Sequence, residues 1–184
     1  FVEKGGTLVI EGGVNILNCS TQAGTGGSLG SGNGATLGSG IFLNTNGASG
    51  AILTLAPPIG ETTTISNNIS DDNVNNLPGS ASYTAGYGGP GAGVTINGAG
   101  TVVFSGDWTY TGATTLTQGT LRSNGTVPYS SLTVGASGIL KGTGTWSQDV
   151  TANGTIAPGN SIGTISFGNI TFGNGSTFQV EIDP

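Results

Sequence analysis

Leu132-Thr133-Val134-Gly135-Ala136-Ser137-Gly138-Ile139-Leu140 decides how the rest of the chain is read. An apolar-Thr pair, Leu132-Thr133, is followed by a Gly-led corner and then by a second apolar group, Ile139-Leu140. Four further pairs sit in similar settings: Val94-Thr95, Leu116-Thr117, Val150-Thr151 and Ile170-Thr171. Taken in chain order the five pairs are 22, 16, 18 and 20 residues apart, a mean of 19. Each is followed by its own second group: Val102-Val103, Leu121, Ile139-Leu140, Ile156 and Phe178. Neighbours on a strand face opposite ways, so the apolar member of each pair enters a core and the Thr faces solvent. Gly at the corners permits the positive φ that a tight turn needs. The spacing therefore predicts an all-β fold: coils of two or three short strands, about 19 residues each, stacked in parallel at roughly 4.8 Å. Leu116, Leu132, Val150 and Ile170 are expected in one inward column.

Composition leads to the same place. Of 184 residues, 98 are Gly, Thr, Ser or Asn, and only 34% are hydrophobic. A thick globular core is hard to build from this, whereas a thin repeating one is not. Good helix formers are scarce and Gly or Asn interrupts nearly every window, so no helix is expected. Charge excludes several functions. Lys4, Arg122 and Lys141 are the only cations, against nine carboxylates, for a net charge of −6. Three cations cannot neutralise a run of phosphates, which argues against nucleic acid as a partner. No His is present, so neither a Ser-His-Asp nor a Cys-His site can be assembled from these residues, nor a His-based metal site. One Cys allows no internal disulfide. No run of 18 apolar residues offers a spanning helix, and no membrane contact is expected within the segment.

The whole of 1–184 reads as a single β-helix segment. Gly5-Gly6-Thr7-Leu8-Val9-Ile10-Glu11-Gly12 resembles Ala99-Gly100-Thr101-Val102-Val103-Phe104-Ser105-Gly106, and Gly50–Ala56 is a further variant. Residues 71–92 lack a strand signal and are expected to project as a loop, while 93–184 form the most regular coils. About ten coils would make a rod on the order of 45 Å long. The large apolar residues of the last coils, among them Ile162, Phe172 and Phe178, lead us to expect the stable end and the folding nucleus there. A chain beginning at Phe1 without a leader pattern reads as a processed or excised piece.

Three stretches resemble a known family. Gly98–Gly106, followed by Trp108–Thr115 and then Gly119-Thr120-Leu121, is similar to the passenger-associated repeat of bacterial autotransporters. Gly154–Ile165 resembles a motif near the C-terminal end of such passengers, and Phe178–Asp183 the segment shortly after it. The resemblance covers about the last 90 residues. It implies a right-handed parallel β-helix, exported to the exterior of a Gram-negative cell, with a membrane β-barrel downstream. A single Cys suits a chain that must stay unfolded through the periplasm. The expected function is a non-enzymatic stalk with an adhesive or self-associating surface. Its partners would be host or neighbouring-cell surface molecules, or further copies of itself. The alternative is a carbohydrate-active β-helix enzyme that cleaves polysaccharide.

No residue is assigned to catalysis, a cofactor or a metal, although several patterns compete. Gly26-Gly27-Ser28-Leu29-Gly30 and Gly159-Asn160-Ser161-Ile162-Gly163 match GxSxG, but a nucleophile elbow needs a His base and a following helix. Gly30–Ala35 fits a loose dinucleotide fingerprint with no helix after it. Asp71-Asp72, helped by Asn73, Asn75 and Asn76, has the donor chemistry of a Ca²⁺ site, but a solvated loop is the simpler reading. Polysaccharide cleavage in β-helices uses clustered carboxylates with Lys or Arg; Arg122 and Lys141 can share a side, but no carboxylate cluster accompanies them. Trp108, Tyr110, Tyr83, Tyr87 and Tyr129 are candidates for sugar stacking, or else cover the core. Cys19 reads as a small buried hydrophobe. Sequons such as Asn124-Gly125-Thr126 read as incidental. The Thr column suggests an ice-binding face, but the residues two positions on are mainly Asn and Gly.

Overall fold

The structure, a computed structural model, describes residues 1–22, 38–45, 50–72 and 91–182. Among these residues there is no helix, and all strand-to-strand pairing is parallel. The chain winds around a three-sided coil, visiting the faces in the same order each turn. Strands are numbered in chain order. The first face carries β1 (Thr7–Glu11), β4 (Ile52–Ala56), β7 (Gly93–Ile96) and the leading halves of β9 (Thr114–Ser123) and β11 (Leu132–Gly142). It ends with the trailing halves of β12 (Thr145–Ala152) and β14 (Ser166–Phe172). The second face holds β2 (Asn15–Ile16), β5 (Thr62–Ile65), β8 (Thr101–Phe104), the trailing halves of β9 and β11, β13 (Thr155–Pro158) and β15 (Thr177–Phe178). The third holds β3 (Ile41–Leu43), β6 (Ile69–Asp71), β10 (Thr126–Val127) and the leading ends of β12 and β14. This is a parallel β-solenoid.

Long strands turn a corner without breaking. At the β9 corner Gly119 has φ +79°, and a Cβ there would lie 2.1 Å from the carbonyl oxygen of Gly98 on the rung beneath. Gly142 repeats the device, with φ +114° and Ser123 O at 2.1 Å. Any side chain at either site would collide with backbone, so the corners require Gly on two counts.

The register corrects the expected column. Val94, Thr114, Leu132, Val150 and Ile170 align, and Leu116 belongs to the next inward column with Ile96 and Val134. The Leu116-Thr117 pair is therefore two residues out of step. The true rung begins at Thr114-Thr115, where a polar residue occupies a core position. Thr114 is fully buried, and hydroxyl bonds make this possible: Tyr110 Oη lies 2.5 Å and Ser130 Oγ 2.8 Å from Thr114 Oγ1. Ser130 donates its proton to Ser131 O at 3.1 Å. It therefore accepts from Thr114, which in turn accepts from Tyr110. The three hydroxyls form a chain ending on a carbonyl, and no buried donor in it is left over. Burial raises the Tyr110 hydroxyl pKa well above the usual phenol value, because the phenolate would have no water.

Coil length is not uniform. The first-face register steps from Thr7 to Ile52 and from Ile52 to Gly93, 45 and 41 residues, against 20, 18, 18 and 20 for the later steps. Seven rungs result on that face, with about 29 Å between first and last at ~4.8 Å each, shorter than the rod expected from ten equal coils. Fully buried apolar side chains run from Leu43 to Ile156. Indole and phenyl rings fill the core: Phe104 stacks on Trp108 and meets Trp146 edge-on, with centroids 6.1 Å apart. At the end of the solenoid Ile162, Phe172 and Phe178 are 57%, 46% and 55% exposed, so they do not supply the buried area expected of a nucleus. Asp71 and Asp72 are not part of a projecting loop. Asp71 closes β6 and both carboxylates are buried. Of the rest of that expected loop, residues 73–90 lie outside the described residues and Ala92 is buried.

Candidate functional site

The first face presents a column of hydroxyls. Thr54, Thr95, Thr115, Thr133, Thr151 and Thr171 are in register, the first two half-buried and the last four exposed. Period-two alternation forces this: the flanking positions are inward, so the middle one must face out. The sequence pointed to five threonines, but with Thr117 in place of Thr115 and without Thr54. The column is one residue wide, since Asn97, Thr117, Gly135, Asn153 and Gly173 stand two positions further on. A second ladder runs along the second face and was missed: Thr62, Thr101, Thr120, then Ile139, then Thr155 and Thr177. Its signal is the Thr that precedes four of the five second apolar groups, Ile139-Leu140 being the exception.

Among the described residues β14 pairs with β12 and β15 with β13. Ile162, Ile165, Phe167, Ile170, Phe172 and Phe178 line a hollow of about 490 Å³ there. Phe172 and Phe178 meet edge-on with centroids 6.0 Å apart.

The remaining sequence candidates fall as follows. Asp71 Oδ2 accepts from Thr111 N at 2.7 Å, Thr111 Oγ1 at 2.9 Å and Ala92 N at 3.2 Å. Asp72 Oδ1 accepts from Thr45 N at 2.6 Å and from the Thr45 hydroxyl. The doublet braces backbone across coils, with amide and hydroxyl donors aimed at its oxygens, and Asn73, Asn75 and Asn76 lie outside the described residues. Trp108 and Tyr110 are fully buried and cannot stack on a sugar, whereas Tyr129 is 39% exposed. Tyr83, Tyr87, Ser28 and Gly30–Ala35 are outside the described residues. Ser161 is exposed in the turn after β13. Cys19 is exposed rather than buried. Asn67 holds its backbone, accepting from Cys19 N at 3.2 Å and donating to Cys19 O at 2.7 Å. Arg122 and Lys141 are register partners on the outer side of the second face.

No protein-family model matches the chain, and no solved structure matches it. A protein named "Extracellular serine protease" from Serratia marcescens is 40% identical over 92 residues. That stretch is 49% of this chain and 9% of the relative, so the chain spans less than a tenth of that protein's length. Part of the chain is thus similar to part of an extracellular protein.

Proposed function

We propose that these residues form a non-enzymatic segment of an autotransporter-like passenger. In this reading the solenoid is a right-handed β-helix on the exterior of a Gram-negative cell. It serves as a stiff stalk whose threonine faces adhere or self-associate. The observation that carries the reading is the unbroken parallel register of the first face from β1 to β14. Every rung hydrogen-bonds to the next over columns of packed side chains, which resists bending. The extracellular name of the Serratia relative supports the location. Its protease name does not carry over to these residues, which contain no His to serve as a base. A β-barrel downstream would complete the export route.

The test is to fuse residues 1–184 to an autotransporter barrel and display them on a Gram-negative cell. Surface exposure to added protease is expected, together with increased cell–cell or cell–surface attachment. The purified chain should hydrolyse neither casein nor pectin. Retention in the periplasm, or hydrolysis of either substrate, would overturn the proposal.

A further inference from the structure

Arg122 and Lys141 are two of only three cations in a chain of net charge −6. The parallel pairing of β9 with β11 sets them side by side, one rung spacing or about 4.8 Å apart at the backbone. Like charges on adjacent rungs repel, so this juxtaposition is unfavourable by itself. A scattered placement among nine carboxylates would have been easier to accommodate. Among the described residues neither side chain forms an ion pair, and Arg122 Nε is buried without a hydrogen-bond partner. The column continues to Val103 below and Ala157 above, neither of which can neutralise the pair. Thr120 lies two residues before Arg122 on the same side of the strand, adding a hydroxyl.

From this we infer that Arg122 and Lys141 form a binding site for a single oxyanion, a sulfate, phosphate or carboxylate group. The terminal N–H groups of the guanidinium offer a planar fork, and the ammonium adds a second charge from the neighbouring rung. One bound oxyanion would remove the repulsion. The site lies on the second face, apart from the first-face threonine column, and does not depend on the proposed function. The chemistry fits an isolated ion or an acidic group on a polymer, and the experiment separates the two.

The full chain is titrated with sodium sulfate at constant ionic strength, with sodium chloride as the balancing salt, and followed by ¹H–¹⁵N NMR. The amides of Arg122 and Lys141 should shift saturably with a millimolar midpoint. R122Q and K141Q should each weaken binding at least tenfold, and R122K should fall between, because it keeps charge but loses the fork. K4Q should leave binding unchanged. Both site side chains face outward, so the variants should retain the native amide spectrum. Retention on dextran sulfate but not on neutral dextran, lost in R122Q, would assign the site to a polymer-borne group. Sulfate binding without dextran sulfate retention would assign it to a free ion. A linear shift equal to that with chloride, or undiminished sulfate binding in both R122Q and K141Q, would overturn the inference.

Discussion

Thr114→Val tests the account of how a polar residue lives in the core column. Thr114 stands between Val94 and Leu132 in an otherwise aliphatic column, so a naive reading expects valine to stabilise. One methyl in place of the hydroxyl contributes about 0.8 kcal/mol. Against this, Tyr110 is fully buried and its O–H loses its acceptor. An orphaned buried donor costs about 1–3 kcal/mol. Ser130 keeps its bond to Ser131 O and is affected less. The net loss should be about 1–2 kcal/mol. Tyr110→Phe removes one bond but strands nothing, because Thr114 still donates to Ser130; about 1 kcal/mol is expected. In the Tyr110→Phe background, Thr114→Val should cost close to nothing, since no orphan remains. The coupling between the two sites is then about 1–2 kcal/mol, within the range for contacting residues. Urea unfolding followed by circular dichroism reads this directly, as a midpoint shift of about 0.5–1 M for Thr114→Val alone. Equal losses from Thr114→Val in both backgrounds, or a gain in the wild type, would refute the hydroxyl-chain reasoning.

Three further outcomes follow from the same geometry. Leu132→Asp should unfold the chain at neutral pH, because holding the buried acid protonated costs about 4 kcal/mol and lost packing adds ~2 kcal/mol or more; Thr133→Asp, facing out, should change stability by about 1 kcal/mol at most. Equal damage from the two in a thermal melt would contradict the alternation. Trp146→Phe breaks the bond from Nε1 to the buried Ser123 Oγ at 3.0 Å, whereas Trp108→Phe removes an indole N–H that has no partner. The first should cost about 1–3 kcal/mol more than the second by chemical denaturation; the reverse order would refute the bonding assigned to the indoles. Because burial raises the folded-state pKa of Tyr110 above its unfolded value near 10, the native state binds the proton more tightly. That stability is fully present below about pH 10 and is lost as pH rises beyond it. Unfolding free energy should fall across this alkaline range, and the fall should be shallower in Tyr110→Phe; identical slopes would count against it.

Much of the architecture was legible because period-two alternation is a local signal. Leu132-Thr133, Val150-Thr151 and Ile170-Thr171 were read in their true register. The rung at Thr114 was misread for a physical reason: its apolar position is filled by a hydroxyl whose partners, Tyr110 and Ser130, lie on other segments. No pattern of hydrophobicity reveals such a network. Coil length failed in the first half because extra residues between rungs do not disturb pairing, so 45 and 41 residues can intervene where 18 suffice later. The loop expected over 71–92 rests on the lack of a strand signal, yet β6 runs to Asp71 and three protein donors hold its carboxylate inside. Arg122 and Lys141 can share a side; that they share a rung contact depends on the register shift between Val134 and Ser137, which moves the offset of β11 from β9 from 18 residues to 19.

The central claim, an in-register parallel solenoid with its threonines in one outward column, is tested most directly by methyl NMR. With only the threonine γ2-methyls protonated, the account predicts sequential contacts from Thr95 to Thr115, Thr115 to Thr133, Thr133 to Thr151 and Thr151 to Thr171, each across one rung spacing. Contacts that place Thr117 instead of Thr115 between Thr95 and Thr133, or the absence of any contact between threonines about one turn apart in sequence, would contradict it.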